Sequence, residues 1–146
     1  MTLPQITVRN RQRNIPINVA ELERFAAKAV QECLRLRMRE ATDLTRLSEV
    51  SVWLISDRRM ASLHRQFLHR TGPTDVLTFQ HGEIFISVAT ARRHARAFGN
   101  SLARELCLYI VHGLLHLHGF DDRKPTDARK MERMQKRILI LANAKR

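Results

Sequence analysis

The chain has 146 residues, enough for one domain with a sizeable core. At 44% hydrophobic residues it should fold rather than stay disordered, and 26 Lys and Arg against 14 Asp and Glu leave a net charge of +12. That charge favours polyanionic partners, nucleic acid first and an anionic membrane surface second, although an Arg-rich solvated surface explains it equally well. Aromatics at 5% speak against a single-strand binder built on base stacking. RNA contacts are expected to rest on phosphates and shape.

The elements read in order as β-α-β-α-β-β-α-α-α. Ile6 to Arg9 is a short strand. Asn18-Val19-Ala20-Glu21 caps a helix whose apolar face carries Leu22, Ala26, Ala29, Cys33 and Leu36. Thr42 to Leu47 reads as a loop, and Glu49 to Ile55 as a strand with Trp53 in the core. Ser56 or Asp57 caps a helix to about Leu68, followed by the loop His69-Arg70-Thr71-Gly72-Pro73. Asp75 to Phe79 and Glu83 to Val88 form a hairpin around Gln80-His81-Gly82. Ala89 to Phe98 is a basic helix stopped at Gly99-Asn100. Ser101 caps an apolar helix that ends at Gly119, and Pro125-Thr126-Asp127 opens a last helix with a basic outer side. The expected fold is α/β of the α+β type. It is one domain over residues 1–146, with a small mixed sheet of about four strands, about five helices and a metal site at the end of a central helix.

Cys33 and Cys107 lie far apart with no CxxC, and read as reduced core residues with no disulfide partner. The start, Met1-Thr2-Leu3-Pro4-Gln5, lacks a basic residue before an apolar run, so no secretory signal is expected. The longest apolar run, Leu106 to Leu117, is too short for a membrane span. A cytoplasmic protein without a membrane partner is the expectation.

The chemistry concentrates in His112-Gly113-Leu114-Leu115-His116-Leu117-His118-Gly119-Phe120-Asp121-Asp122. His112 and His116 sit one helical turn apart and differ by about 40° in direction, so both imidazoles reach one ion. His118 is rotated about 240° from His112 and faces away. Past the turn at Gly119, Asp121 or Asp122 can fold back over the pair. Two histidines, a carboxylate and an open position make a catalytic zinc set. A lone histidine pair at this spacing is more often structural. Burying two imidazoles in an apolar helix nevertheless demands a metal or a dense hydrogen-bond network. Metalloproteases carry a Glu after the first His, and Gly113 stands there instead, which argues against a peptidase.

This stretch resembles the signature of the YbeY family of ribosomal-RNA maturation endoribonucleases, His-Gly-x-Leu-His-Leu-x-Gly-Tyr-Asp-His. Pro73-Thr74-Asp75-Val76-Leu77-Thr78-Phe79 is similar to that family's Thr-Asp-Val-Leu-Ser-Phe segment, and Gly82-Glu83-Ile84-Phe85-Ile86-Ser87 to its Gly-Asp-Ile-x-Ile-Ser strand. The resemblance covers about residues 50 to 122. It implies an α/β domain with a zinc site and metal-dependent cleavage of single-stranded RNA. It further implies partnership with ribosomal RNA and the small ribosomal subunit, in the bacterial cytoplasm or in organelles.

Two positions depart from the family pattern. The third ligand position, usually His, holds Asp122, which gives the set His112, His116 and Asp122 for one divalent ion, expected to be zinc. Asp is harder than imidazole and makes the site less positive, which shifts preference toward Mn²⁺ or Mg²⁺. Leu68 stands where many members have an Arg that acts on RNA, leaving Arg65 or Arg70 to take its electrostatic task. His64 stands where Asn is common. Asp75 and Thr78 are expected to brace the sheet, His81 to be a surface residue, and Glu83 is a candidate proton acceptor. The basic groups Arg92, Arg93, Arg96 and Arg104, and the nine Lys and Arg from Arg123 to Arg146, suit either RNA or solvent. The competing reading is a non-catalytic ribosome-assembly or RNA-binding factor with a structural or degenerate metal site.

Overall fold

Alternation of apolar and polar side chains builds the sheet. In strand β1 (Gln5–Asn10), Ile6 and Val8 are buried; in β2 (Glu49–Ile55), Val50, Val52 and Leu54 are buried. The computed structural model describes residues 3–68 and 74–144. Strands β3 (Val76–Phe79) and β4 (Glu83–Ser87) form the expected hairpin, and the sheet order is β1-β2-β4-β3. β1, β2 and β4 run parallel, and β3 is the antiparallel edge. Parallel neighbours need crossovers, and helices α1 (Val19–Leu34) and α3 (Asp57–Leu68) lie on those crossovers.

Six helices are formed among the described residues, one more than expected. The addition is α2 (Asp43–Arg46), in the stretch anticipated as a loop. Thr42 and Thr45 cap it reciprocally, with Thr45 N–H donating to Thr42 Oγ1 at 3.3 Å and Thr42 N–H donating to Thr45 Oγ1 at 2.9 Å. One turn carries no readable periodicity, so only this capping signal was available. Asn18 and Ser101 cap α1 and α5 (Leu102–Leu117) as anticipated, at 3.1 Å to Glu21 N and 3.1 Å to Arg104 N. Helices α4 (Val88–Phe98) and α6 (Pro125–Asn143) complete the set. No helix of the described residues is long and apolar enough to cross a membrane.

α5 is the central helix. It touches α1, α2, α4, α6, β3 and β4, and it buries Leu106, Ile110, Val111, Leu114, Leu115 and Leu117. It lies tightly on the sheet at Gly113, where a Cβ would stand 2.8 Å from Ile84 Cδ1 and 2.9 Å from Ile84 Cγ2. Cys33 and Cys107 are buried and unpaired, and burial pushes both thiols up to about 12.

A second apolar cluster lies on the opposite, outer face, where Met60 and Leu63 of α3 meet Ile55 and Leu77. Trp53 lies here, half-buried, rather than in the main core: the alternation of β2 turns it away from Val52 and Leu54. Ser56 is the residue that caps α3, accepting from Arg59 N–H at 3.2 Å. The α3 start is tied to the β4–α4 junction through Asp57. Its carboxylate accepts from Ser87 Oγ, from Thr90 Oγ1 at 2.7 Å and from Arg93 Nη1 at 2.8 Å. Burial pushes its pKa up, but those hydrogen bonds and the Arg93 charge outweigh burial and hold it below the usual aspartate value.

Two outcomes follow from this packing. Gly113→Ala should gain at most about 1 kcal/mol in helix propensity and lose about 1–3 kcal/mol by overpacking Ile84, so urea denaturation should show a net loss of stability. A lowered folded-state pKa means that the Asp57 contribution is complete above the unfolded aspartate value, about pH 4, and is lost as pH falls through the folded value. Wild type and Asp57→Asn should therefore differ most in urea midpoint near neutrality and converge in acid.

Candidate metal centre

The C-terminal turn of α5 is closed by backbone geometry at Gly119, which has φ of +92°. Gly119 N–H donates to His116 O at 3.1 Å and Phe120 N–H to Leu115 O at 2.9 Å. This is the Schellman arrangement, in which glycine avoids the Cβ strain of the left-handed region. The turn also aims a carbonyl back at the helix, and Phe120 O accepts from His116 Nδ1–H at 3.0 Å. His112 is held in the same way from another helix, its Nδ1–H donating to Gln135 Oε1 of α6 at 3.0 Å.

Both bonds fix the tautomer. With Nδ1 carrying the hydrogen, each neutral imidazole presents an Nε2 lone pair. The two Nε2 atoms face one another at 3.1 Å. Two lone pairs at that distance repel unless a cation or a proton lies between them. Burial holds the His112 pKa below the usual histidine value, against the raising effect of Gln135, with the His116 ring adding to the lowering. That lowering disfavours the proton on His112 and leaves its Nε2 available to a metal.

Asp122 completes a triangle. Its Oδ2 is 3.6 Å from His112 Nε2 and 3.7 Å from His116 Nε2. The three ligand atoms lie within 4.8 Å of one another, a group that could hold a metal ion. Asp121, the alternative, is turned away: its carboxylate accepts from Arg123 N–H at 3.1 Å, Arg123 Nε at 2.8 Å and Arg123 Nη2 at 2.7 Å. His118 faces away as its helical phase requires. It is buried, with Nε2–H donating to Leu36 O at 2.7 Å and Nδ1 accepting from Thr42 Oγ1 at 2.9 Å. It pins the end of α5 to the capping residue of α2.

A cavity of about 550 Å³ opens over His112 and His116, walled by Val76, Thr78 and Gln80 of the β3 edge and by Asp43 of α2. Thr78 thus borders the centre. Asp75 braces the sheet, its Oδ1 accepting from Val76 N–H at 2.8 Å and its carbonyl from Ser87 N–H at 3.0 Å. Sequence reasoning missed Asp43 and Gln135. Asp43 lies in the unread helix, and Gln135 is one of several polar positions on α6 with nothing local to single it out.

Other candidates lie elsewhere. Glu83 is on the outer face, its carboxylate accepting from Trp53 Nε1 at 2.9 Å and paired with His81 Nε2 at 2.6 Å, so β4 alternation removes it from the metal side. His81 is exposed, as expected of a turn residue. Arg65 is exposed in the last turn of α3 and does not line the cavity. Arg70 lies outside the described residues.

The family model described as Endoribonuclease YbeY matches residues 7–143. Among relatives, Endoribonuclease YbeY of Anaeromyxobacter sp. (strain Fw109-5) is 39% identical over 115 residues, covering 69% of this chain and 60% of its own. Endoribonuclease YbeY of Thermus thermophilus is 41% identical over 104 residues, covering 63% and 75%. The chain spans about 60% of the length of the Anaeromyxobacter protein. The solution structure of TM1509 from Thermotoga maritima superposes with a TM-score of 0.64 at 25% identity, covering 94% of this chain and 88% of that one. With a match that runs from β1 to the last turn of α6, the chain belongs to the YbeY family.

Proposed function

We propose that this protein is a metal-dependent endoribonuclease that cleaves single-stranded RNA, acting in the cytoplasm on ribosomal RNA during small-subunit assembly. The observation that carries the reading is the convergence of two lone-pair nitrogens and one carboxylate at the floor of an open cavity. Relatives named for endoribonuclease activity support the reaction class.

His112 and His116 through Nε2, with Asp122 through Oδ2, are the ligands of one divalent ion. Two imidazoles and one carboxylate are a usual zinc ligand set, and separations of 3.1, 3.6 and 3.7 Å put all three atoms within reach of one ion. When bound, such an ion supplies Lewis acidity toward a phosphodiester oxygen or a water. The protein's own task is to orient both imidazoles with Nε2 toward the ion, which Gln135 and Phe120 O do by accepting from Nδ1–H. Asp43 borders the cavity and, with Asp121 held by Arg123, is the carboxylate placed there to accept a proton. Gly113 leaves no carboxylate beside His112, so a peptidase mechanism lacks its base.

A second reading, a ribosome-assembly factor with a structural metal, draws on Leu68 ending α3 where the family pattern has Arg and on Arg65 standing away from the cavity. Two variants and a chelation experiment decide between them. His112→Ala should lose the ion and reduce cleavage of a single-stranded ribosomal RNA fragment by at least about 100-fold. His118→Ala should keep one ion per chain while losing about 1–3 kcal/mol of stability, because Thr42 and Leu36 O lose their partner. Chelation should abolish cleavage and zinc should restore it. Purified protein that holds no ion and cannot be loaded sinks the metal centre, and cleavage unaffected by His112→Ala sinks the catalytic reading.

A further inference from the structure

The outer face of the sheet collects what the composition makes scarce. Strand register sets Arg9, Trp53, Phe85 and Leu77 in one line across β1, β2, β4 and β3. Phe79 on β3 and Phe67 on α3 extend it. The Trp53 and Phe85 rings lie 6.1 Å apart and nearly parallel, Phe85 and Phe79 meet edge to face at 5.7 Å, and Phe79 and Phe67 at 5.4 Å. Four of the chain's eight aromatic residues thus form one continuous row, and Phe67 at its end is 52% exposed.

Cations flank this row. The Arg9 and Arg11 guanidinium carbons stand 5.4 and 5.6 Å from the centre of the Trp53 ring. Arg11 and Arg59 join Trp53, Phe85, Ile55 and Glu83 around a concavity of about 510 Å³. The carboxylate in that concavity, Glu83, is engaged by Trp53 Nε1 and His81, and its single negative charge is outnumbered by the guanidinium groups of Arg9, Arg11 and Arg59.

β3 connects this face to the metal cavity. Val76, Leu77, Thr78 and Gln80 line the cavity, while Phe79 packs on Phe85 of the outer face. We infer that the outer sheet face is a stacking platform for bases of the same single-stranded RNA whose backbone enters the metal cavity, the strand crossing the β3 edge between them. This rests on the ribonuclease reading above. Aromatic rings beside arginines are the combination that holds unpaired bases and their phosphates, whereas an apolar protein partner would gain little from three arginines.

Trp53 is the chain's one tryptophan, so its fluorescence reports on this face alone. The intact protein, with EDTA present to stop turnover, is titrated with a labelled single-stranded RNA of about 12 nucleotides, within the usual range of single-strand site sizes. An abasic chain with the same number of phosphates serves for comparison. Label anisotropy measures binding and Trp53 emission measures stacking. The expected result is saturable quenching by RNA, little by the abasic chain, and about 5- to 150-fold weaker RNA binding for Trp53→Ala or Phe85→Leu. Trp53→Phe keeps a ring and should bind within a few-fold of wild type, which separates lost stacking from lost folding. RNA binding with unchanged Trp53 emission, or equal quenching by the abasic chain, overturns the platform and leaves the face to a protein partner. Absence of any RNA binding by anisotropy overturns the ribonuclease reading, and the platform with it.

Discussion

Everything in this molecule hangs on how closely α5 lies against the sheet. Gly113 removes the side chain that would hold the helix off Ile84, and the helix settles onto β4 at that point. The residues before and after it in the same turns, His112 and His116, are then carried past the edge of the sheet, where β3 and α2 wall a cavity. The position that a metalloprotease would give to its catalytic Glu is spent here on helix–sheet contact. One residue therefore serves packing and limits chemistry at once.

The candidate metal centre brings together three separately held parts. α6 orients His112 through Gln135, the Schellman turn orients His116 through Phe120 O, and the chain after that turn delivers Asp122. Neither Gln135 nor Phe120 O is itself a ligand, yet each decides which nitrogen carries the hydrogen. The histidine that is not a ligand is equally placed. His118 joins the helix end to Thr42, and so fixes α2 and its Asp43 at the cavity rim.

The two faces of the sheet divide the work by strand alternation. The inner face is apolar and nearly sealed, and it supports α5. The outer face is only partly covered by α3, which leaves aromatic rings and arginines accessible beside it. β3, short and at the edge, contributes to both sides within four residues. Its alternation is the geometric link between the metal cavity and the aromatic row.

Local patterns in the sequence determined much of this. Periodicity marked the long helices, capping residues marked their starts, and the hairpin followed from its turn residues. The spacing of His112 and His116 placed them on one helical face and set His118 apart, because helical phase is a property of the local chain. What the sequence left open depended on contacts between distant segments. That Asp122 rather than Asp121 stands beside the histidines follows from the Arg123 pairing and the path of the turn. The outward placement of Trp53 and Glu83 followed from strand phase relative to the core, which fixes a face only once it is known which side the helices cover. Asp43, Gln135 and the aromatic row became visible only when α2, α6 and four strands were packed. Composition counts aromatic residues and charges, but tertiary structure alone decides whether they share a surface.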